Sequence, residues 1–371
     1  MPKGKRLPPS TPATPAFVPP YPPSWIDRLM RWVERIPGPF WVAYLVAAVV
    51  LDLALTAALW SAGTDRAGIV TRLPLFLGFE IPATLALAHY LNRSAAKALD
   101  EFRPVLIATE AESLTFRYRL VTLPPSAALW SGIALLVGNV IIGMMAPLLA
   151  GQPSLTALQG FLQPFLVDAS RSPLPIGIDV VLLIVFALTV GAVLWHILRQ
   201  LAVISLIYSR HTRVNLFRLA PLYALSRQTA RTSIGLVLLF SAAPLVVPEV
   251  MRQMGNLVSS AMALLLVLAV FIVPLVGVHR LLDREKERLV SENGVMMEAA
   301  VGELHRRVTS GKLQAMDDMN KVMASLEIER AALVRVPTWP WDPGTLRTVM
   351  AALFLPILIW LIQYGLQRFL G

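Results

Sequence analysis

Cysteine is absent from the 371-residue chain. That excludes disulfides, thiolate metal sites and cysteine nucleophiles, and it leaves the redox compartment undetermined. Charge is scarce as well: Asp, Glu, Lys and Arg make up 15% of residues while 56% are hydrophobic, at a mean hydropathy of +0.63. A soluble protein needs more polar surface than this to cover itself, so the composition is that of a polytopic membrane protein. Signature motifs of catalysis are missing too. His89, His196, His211, His279 and His305 are scattered, and no two have the H-E-x-x-H spacing that puts metal ligands on one helix face. Gly311 and Lys312 do not close a P-loop, because Leu313 stands where Ser or Thr is required and no strand precedes them. There is no G-x-S-x-G elbow and no Gly-rich dinucleotide fingerprint. The expectation is a protein with no enzyme activity, no cofactor and no metal.

What is present begins with a tail. Residues 1–23 hold Lys3, Lys5, Arg6 and nine prolines and little that forms a core, which predicts a disordered segment of polyproline II character. Residues 24–36 place Trp25, Leu29, Trp32, Val33 and Ile36 on one side of a helix and Asp27, Arg28, Arg31, Glu34 and Arg35 on the other. Ser24 and Asp27 have capping-box spacing. The pattern predicts an amphipathic helix in the membrane interface, with Trp25 and Trp32 as anchors.

Seven apolar runs follow: 40–62, 73–91, 126–150, 178–198, 233–250, 257–278 and 349–364. Most approach the ~20 residues that cross ~30 Å of hydrocarbon as a helix. The first begins too late and runs too long for the h-region of a signal peptide. Runs 73–91 and 233–250 carry internal prolines (Pro74, Pro82, Pro244, Pro248), which allows broken or re-entrant helices there. Lys and Arg test the parity of the runs. Only Arg66, Arg72, Arg171, Arg252 and Arg368 fall in one set of loops, leaving 28 of the 33 in the other. By the positive-inside rule the basic set is cytoplasmic, so the N-terminus is inside and the C-terminus outside a prokaryotic cytoplasmic membrane. The same placement accounts for the net charge of +10 without a nucleic-acid partner.

The expected organisation is thus all-α: about seven transmembrane helices in a membrane region over 40–278 and a last span within 337–371. Cytoplasmic arms are expected at 92–124 and 199–231, and an antiparallel helical hairpin at 279–336. The second arm has six arginines, Arg199, Arg210, Arg213, Arg218, Arg227 and Arg231, and no acid. A basic arm beside the bilayer is drawn to anionic lipid head groups at ~1 kcal/mol per residue near the surface. In the hairpin, Met297, Val301 and Leu304, then Met316, Met319, Met323 and Leu326, recur at the three-four spacing of a coiled-coil seam. Thr309 to Gly311 supplies the turn. The seam either packs on itself or turns its methionines to a protein partner or a second copy. Trp339 and Trp341, separated by Pro340, suit the inner aromatic belt ahead of the last span.

Phe102-Arg-Pro104, Thr212-Arg-Val-Asn-Leu-Phe217, Pro221-Leu-Tyr-Ala-Leu-Ser-Arg227 and Pro337-Thr-Trp-Pro-Trp341 before Leu346-Arg347 resemble phrases in an uncharacterised group of prokaryotic multi-pass membrane proteins. The resemblance implies a shared fold. It brings no activity, ligand or site residues with it.

Ionisable residues inside predicted spans are functional candidates, since each costs ~2.5–3.5 kcal/mol to bury at the bilayer centre. Asp52 and Glu80 are two such residues, and Asn139 lies at a similar depth. Gly78 and Pro82 flank Glu80, as in the interrupted helices of transporters. Two functional classes follow. One is a non-enzymatic scaffold or sensor acting through the hairpin; the other is a proton- or cation-coupled transporter or channel using Asp52 and Glu80.

Overall fold

The computed structural model describes residues 17–61, 72–149, 173–216, 218–246, 254–310, 316–340 and 344–354, together with Leu358 and Gly365. The described residues are mostly helical, and no strand occurs among them. The ordered elements are α1 (Trp25–Val33), α2 (Phe40–Ser61), α3 (Arg72–Phe102), a 3₁₀ turn (Arg103–Val105), α4 (Glu110–Val121) and α5 (Pro125–Leu149). After these come α6 (Pro173–Arg210), α7 (Tyr223–Val246), α8 (Met254–Thr309), α9 (Met316–Arg335) and a short apolar helix, α10 (Gly344–Phe354).

Five helical stretches are long and apolar enough to cross a membrane: Phe40–Ser61, Pro74–Val105, Glu110–Ile142, Gly177–Arg210 and Met262–Thr309. Their apolar surface is left uncovered in the way a lipid solvent requires. Leu53, Trp130 and Leu265 are each 66% exposed, more apolar surface than a water-soluble fold leaves open. Two of the seven expected runs do not reach the same length of apolar helix. In α7 the first half carries Arg227, Gln228, Arg231 and Thr232, so only its second half is apolar. In the last run the described helix ends at Phe354.

Local chemistry sets the helix starts. Ser24 caps α1: its backbone N–H and its hydroxyl donate to Asp27 Oδ2 at 2.8 and 2.7 Å, and Asp27 N–H donates back to Ser24 Oγ at 3.3 Å. Thr109 and Glu112 repeat the device at α4. Gly38 turns the chain between α1 and α2 with φ of +114°, a conformation that favours glycine. Proline does not break α3. Pro74 sits in the first turn, where no donor is needed, and the helix runs through Pro82, which leaves the Gly78 carbonyl without its helical donor.

α3 is the central helix. It packs on α1, α2, α4, α6 and α7, and 67% of its most apolar window is buried against 22% for α2, which lies at the edge. α5 and α6 meet along much of their length. Their backbones touch at Gly132 and Gly191, where a Cβ on Gly191 would lie 2.5 Å from the Ser131 carbonyl and 2.7 Å from Gly132 Cα. α8 packs on α5, α6 and α7 through its first half and on α9 through its second. A smaller apolar cluster of Ala230, Phe271, Leu275 and Val349 ties α7, α8 and α10 together.

Candidate functional site

The polar residues that the fold gathers lie near the ends of the apolar runs, on α3, α6 and α7. Asn92 follows the apolar part of α3. Its Nδ2 donates to the Val121 carbonyl at 3.1 Å and touches Met30 Sδ at 3.6 Å. Its Oδ1 accepts from His196 Nε2 at 2.7 Å. Because an amide oxygen only accepts, this bond assigns the His196 proton to Nε2. Nδ1 is then a buried acceptor with no partner among the described residues.

One helical turn on, Gln200 faces the same way. Its Nε2 donates to the Leu120 carbonyl at 2.8 Å. Gln228 Nε2 donates to the Leu91 carbonyl at 3.1 Å and reaches Gln200 Oε1 at 3.4 Å. The result is a buried polar layer joining α1, α3, α4, α6 and α7. Its side chains serve carbonyls at helix ends and in helix walls that would otherwise be buried without partners.

A second chain fastens α1. Glu34 Oε1 lies 3.3 Å from His89 Nε2, and His89 Nδ1 lies 3.2 Å from the Tyr44 hydroxyl. Phe40 stacks on the imidazole at 4.5 Å, and Arg93 covers the Phe40 ring. Glu34 is half exposed while His89 is 2% exposed, so the chain runs from the surface into the seam between α2 and α3. A carboxylate, an imidazole and a phenol in line can pass a proton. Among the described residues Tyr44 has no onward partner, so the chain works as a clasp. At the other end of α1, the buried Asp27 Oδ2 also accepts from Leu123 N–H at 3.1 Å. Burial raises the Asp27 carboxyl above its ordinary value, against the pull of the hydrogen bonds from Ser24 and Leu123.

The residues singled out in the sequence fall in several places. Asp52 Oδ1 lies against Gly78, where a Cβ would be 2.2 Å from it. It is buried with no hydrogen-bond partner among the described residues. Glu80 is 4% exposed, and Thr84, one turn on, has a buried hydroxyl without a hydrogen-bond partner among the described residues. Glu80 stands two residues from Gly78, about 200° round the helix at ~100° per residue. By helical spacing, Glu80 therefore leaves α3 on the side away from the one that Asp52 meets. Asn139 is exposed on α5 and bonds its own helix, donating to the Leu135 carbonyl at 2.9 Å.

The arginines of the second arm divide. Arg199 lies over the Tyr21 ring at 4.6 Å, Arg227 pairs with Glu101 at 2.9 Å and Arg231 donates to Ser94 at 2.8 Å. Arg210, Arg213 and Arg218 are exposed. The arm is pinned to the first one by an isolated antiparallel bridge between Leu106 and Thr212.

Along α8 and α9, the seam residues Met297, Val301, Leu304, Met316, Met319, Met323 and Leu326 are half-buried, while most positions between them are exposed. Asn293 Nδ2 donates to the Leu326 carbonyl at 3.0 Å. At the base, Lys286 Nζ donates to the Val334 and Val336 carbonyls at 2.7 and 2.9 Å, and Trp339 stacks on His279 at 4.1 Å. Trp25 and Trp32 are exposed on α1; Trp341 lies outside the described residues, as do residues 1–16 of the tail and Gly311.

Asn92, Gln200 and Gln228 were not picked out by sequence reasoning; His89 and His196 entered it only as scattered histidines, with His196 expected at the interface, whereas it is buried. The signal available was polar residues at helical spacing close to the ends of apolar runs. It marks faces and cannot name partners across helices.

Fold and polar layer together define an all-helical protein with several candidate membrane spans. Comparison of the chain with protein-family models, curated proteins and solved structures finds no match.

Proposed function

We propose that the chain is a multi-pass integral membrane protein that acts as a non-enzymatic scaffold or sensor through a cytoplasmic helical hairpin formed by the outer half of α8 and α9. In this reading α7 and the last apolar run complete seven spans. The N-terminus lies inside and the C-terminus outside a prokaryotic cytoplasmic membrane. Likeness to an uncharacterised group of such proteins agrees with this placement without adding a mechanism.

The observation that carries the proposal is α8 itself. It is one helix from Met254 to Thr309, apolar and packed in the bundle at first, polar and paired with α9 later. A continuous helix of 56 residues, with Pro274 inside its bundle half, that is anchored in the bundle at one end and paired only with α9 at the other can transmit displacement in either direction. Lys286 and the stacked His279–Trp339 pair fasten the return strand to the same rod, so the hairpin base moves with it.

Transport through Asp52 and Glu80 is the competing reading. It needs both carboxylates on one path, and helical spacing on α3 turns Glu80 away from the side that meets Asp52, which favours the first reading. A photo-crosslinking residue in place of the exposed Ile328 or Met296 tests the scaffold reading in intact cells. The expected outcome is one discrete adduct, with a second copy or with one other protein. Absence of any adduct from both positions, at normal membrane levels of the chain, overturns it.

A further inference from the structure

We infer that the groove between the loop after α6 and the outer half of α8 is a binding site for a soluble phosphate-bearing ligand with an apolar body. The groove has a volume of about 740 Å³, within the range of small-molecule sites. One wall carries Ile107, Arg213 and Arg218; the other carries Leu281, Arg288 and Leu289.

Hydrogen bonds fix the backbone that carries the basic wall. Arg213 N–H donates to the Val105 carbonyl and Ile107 N–H to the His211 carbonyl, both at 2.8 Å. Thr212 Oγ1 donates to the Ile207 carbonyl at 2.8 Å, and Arg218 N–H closes a turn on the Asn215 carbonyl at 3.0 Å. Binding then has to order the arginine side chains but not the backbone beneath them.

Its charge is uncompensated. Among the described residues Glu285 is the single carboxylate of the lining, and Arg288 occupies it through Nη2 at 2.6 Å and Nε at 3.0 Å. Arg213 and Arg218 are exposed with no acidic partner among the described residues, and the arm that bears them contains no acid. Two free guanidinium forks beside an apolar floor match a phosphate monoester: the forks take its oxygens, and the leucines take its body.

Depth separates a soluble source from a lipid one. In the proposed placement the α6 span ends at Leu198, and the helix continues to Arg210, roughly 18 Å further at 1.5 Å per residue, with Leu201, Ile204 and Ile207 of that extension buried against protein. Head groups extend only ~5–8 Å beyond the hydrocarbon on each side. On the placement proposed above, on which this inference rests, Arg199 lies at the head-group level and Arg213 and Arg218 lie beyond it.

The test uses the full chain in phosphatidylcholine nanodiscs, with phenyl phosphate as the probe and binding followed by phosphorus NMR and calorimetry. Saturable binding is expected, weakened at least tenfold in the Arg213→Gln/Arg218→Gln double variant and also in Leu281→Trp, which fills the groove. Helicity measured on each variant separates loss of the site from loss of the fold. Equal binding by wild type and both variants overturns the inference, as does the lack of saturable binding by wild type. Displacement of phenyl phosphate when phosphatidylglycerol is added to the nanodisc would make this a lipid head-group site, and that also overturns it.

Discussion

Asn92 is the residue on which the most elements depend. Its amide serves Val121 at the end of α4, Met30 of α1 and His196 of α6 at once. Asn92→Ala would leave the Val121 carbonyl and the His196 Nε2–H buried without partners. At about 1–3 kcal/mol for each orphaned group, the variant should lose roughly 3 kcal/mol. Arg117→Gln is the control. It breaks only a half-exposed pair with Asp100, which is worth no more than about 1 kcal/mol. Thermal unfolding in detergent should therefore separate the two variants clearly, and equal midpoints would remove the polar layer from the account. Little of this was legible beforehand. Asn92 and His196 stand 104 positions apart, and a single sequence shows two polar residues near the ends of apolar runs without showing that they meet. Asp52 and Glu80 were visible for the opposite reason, because a carboxylate within an apolar run stands out. That visibility says nothing about which side of α3 each one takes.

Elements were easier to read than contacts. Apolar length marked α2, α3, α5, α6 and the first half of α8, and the Ser24–Asp27 spacing marked the start of α1. Proline was a poor guide to α3, because Pro74 lands in the first turn and the cost of Pro82 is a single carbonyl, which a packed helix tolerates. Glycine was a poor guide to packing, since the chain has 21 and only their neighbours in space distinguish them. Gly191 and Gly235 show the difference. An added Cβ on Gly191 meets backbone of α5, which cannot give way unless the helices part; one on Gly235 meets the end of the Leu87 side chain, which can rotate. Gly191→Ala should cost about 2–3 kcal/mol and Gly235→Ala less than about 1 kcal/mol, from the range for overpacked cores. Unfolding midpoints of the two variants check this. The reverse order would mean that α5 and α6 do not cross at those glycines.

At the scale of the whole molecule, composition carried the class, and the charge distribution carries the proposed orientation. The long rod of α8 unites the two, with a lipid-compatible half and a water-compatible half in one continuous helix. Because a helix cannot bend back without a break, the side of the membrane that holds Ser310 fixes where the hairpin works. The proposed groove faces the same compartment, so one orientation serves both. The absence of cysteine makes that orientation directly measurable, since any introduced thiol is the only one in the chain. Ser61 is exposed at the end of α2, and Ser310 is exposed just after α8. In intact cells, a membrane-impermeant maleimide should label Ser61→Cys at once and Ser310→Cys only after the membrane is opened. Labelling of both in intact cells, or of neither, would put the two ends on one side and contradict the account.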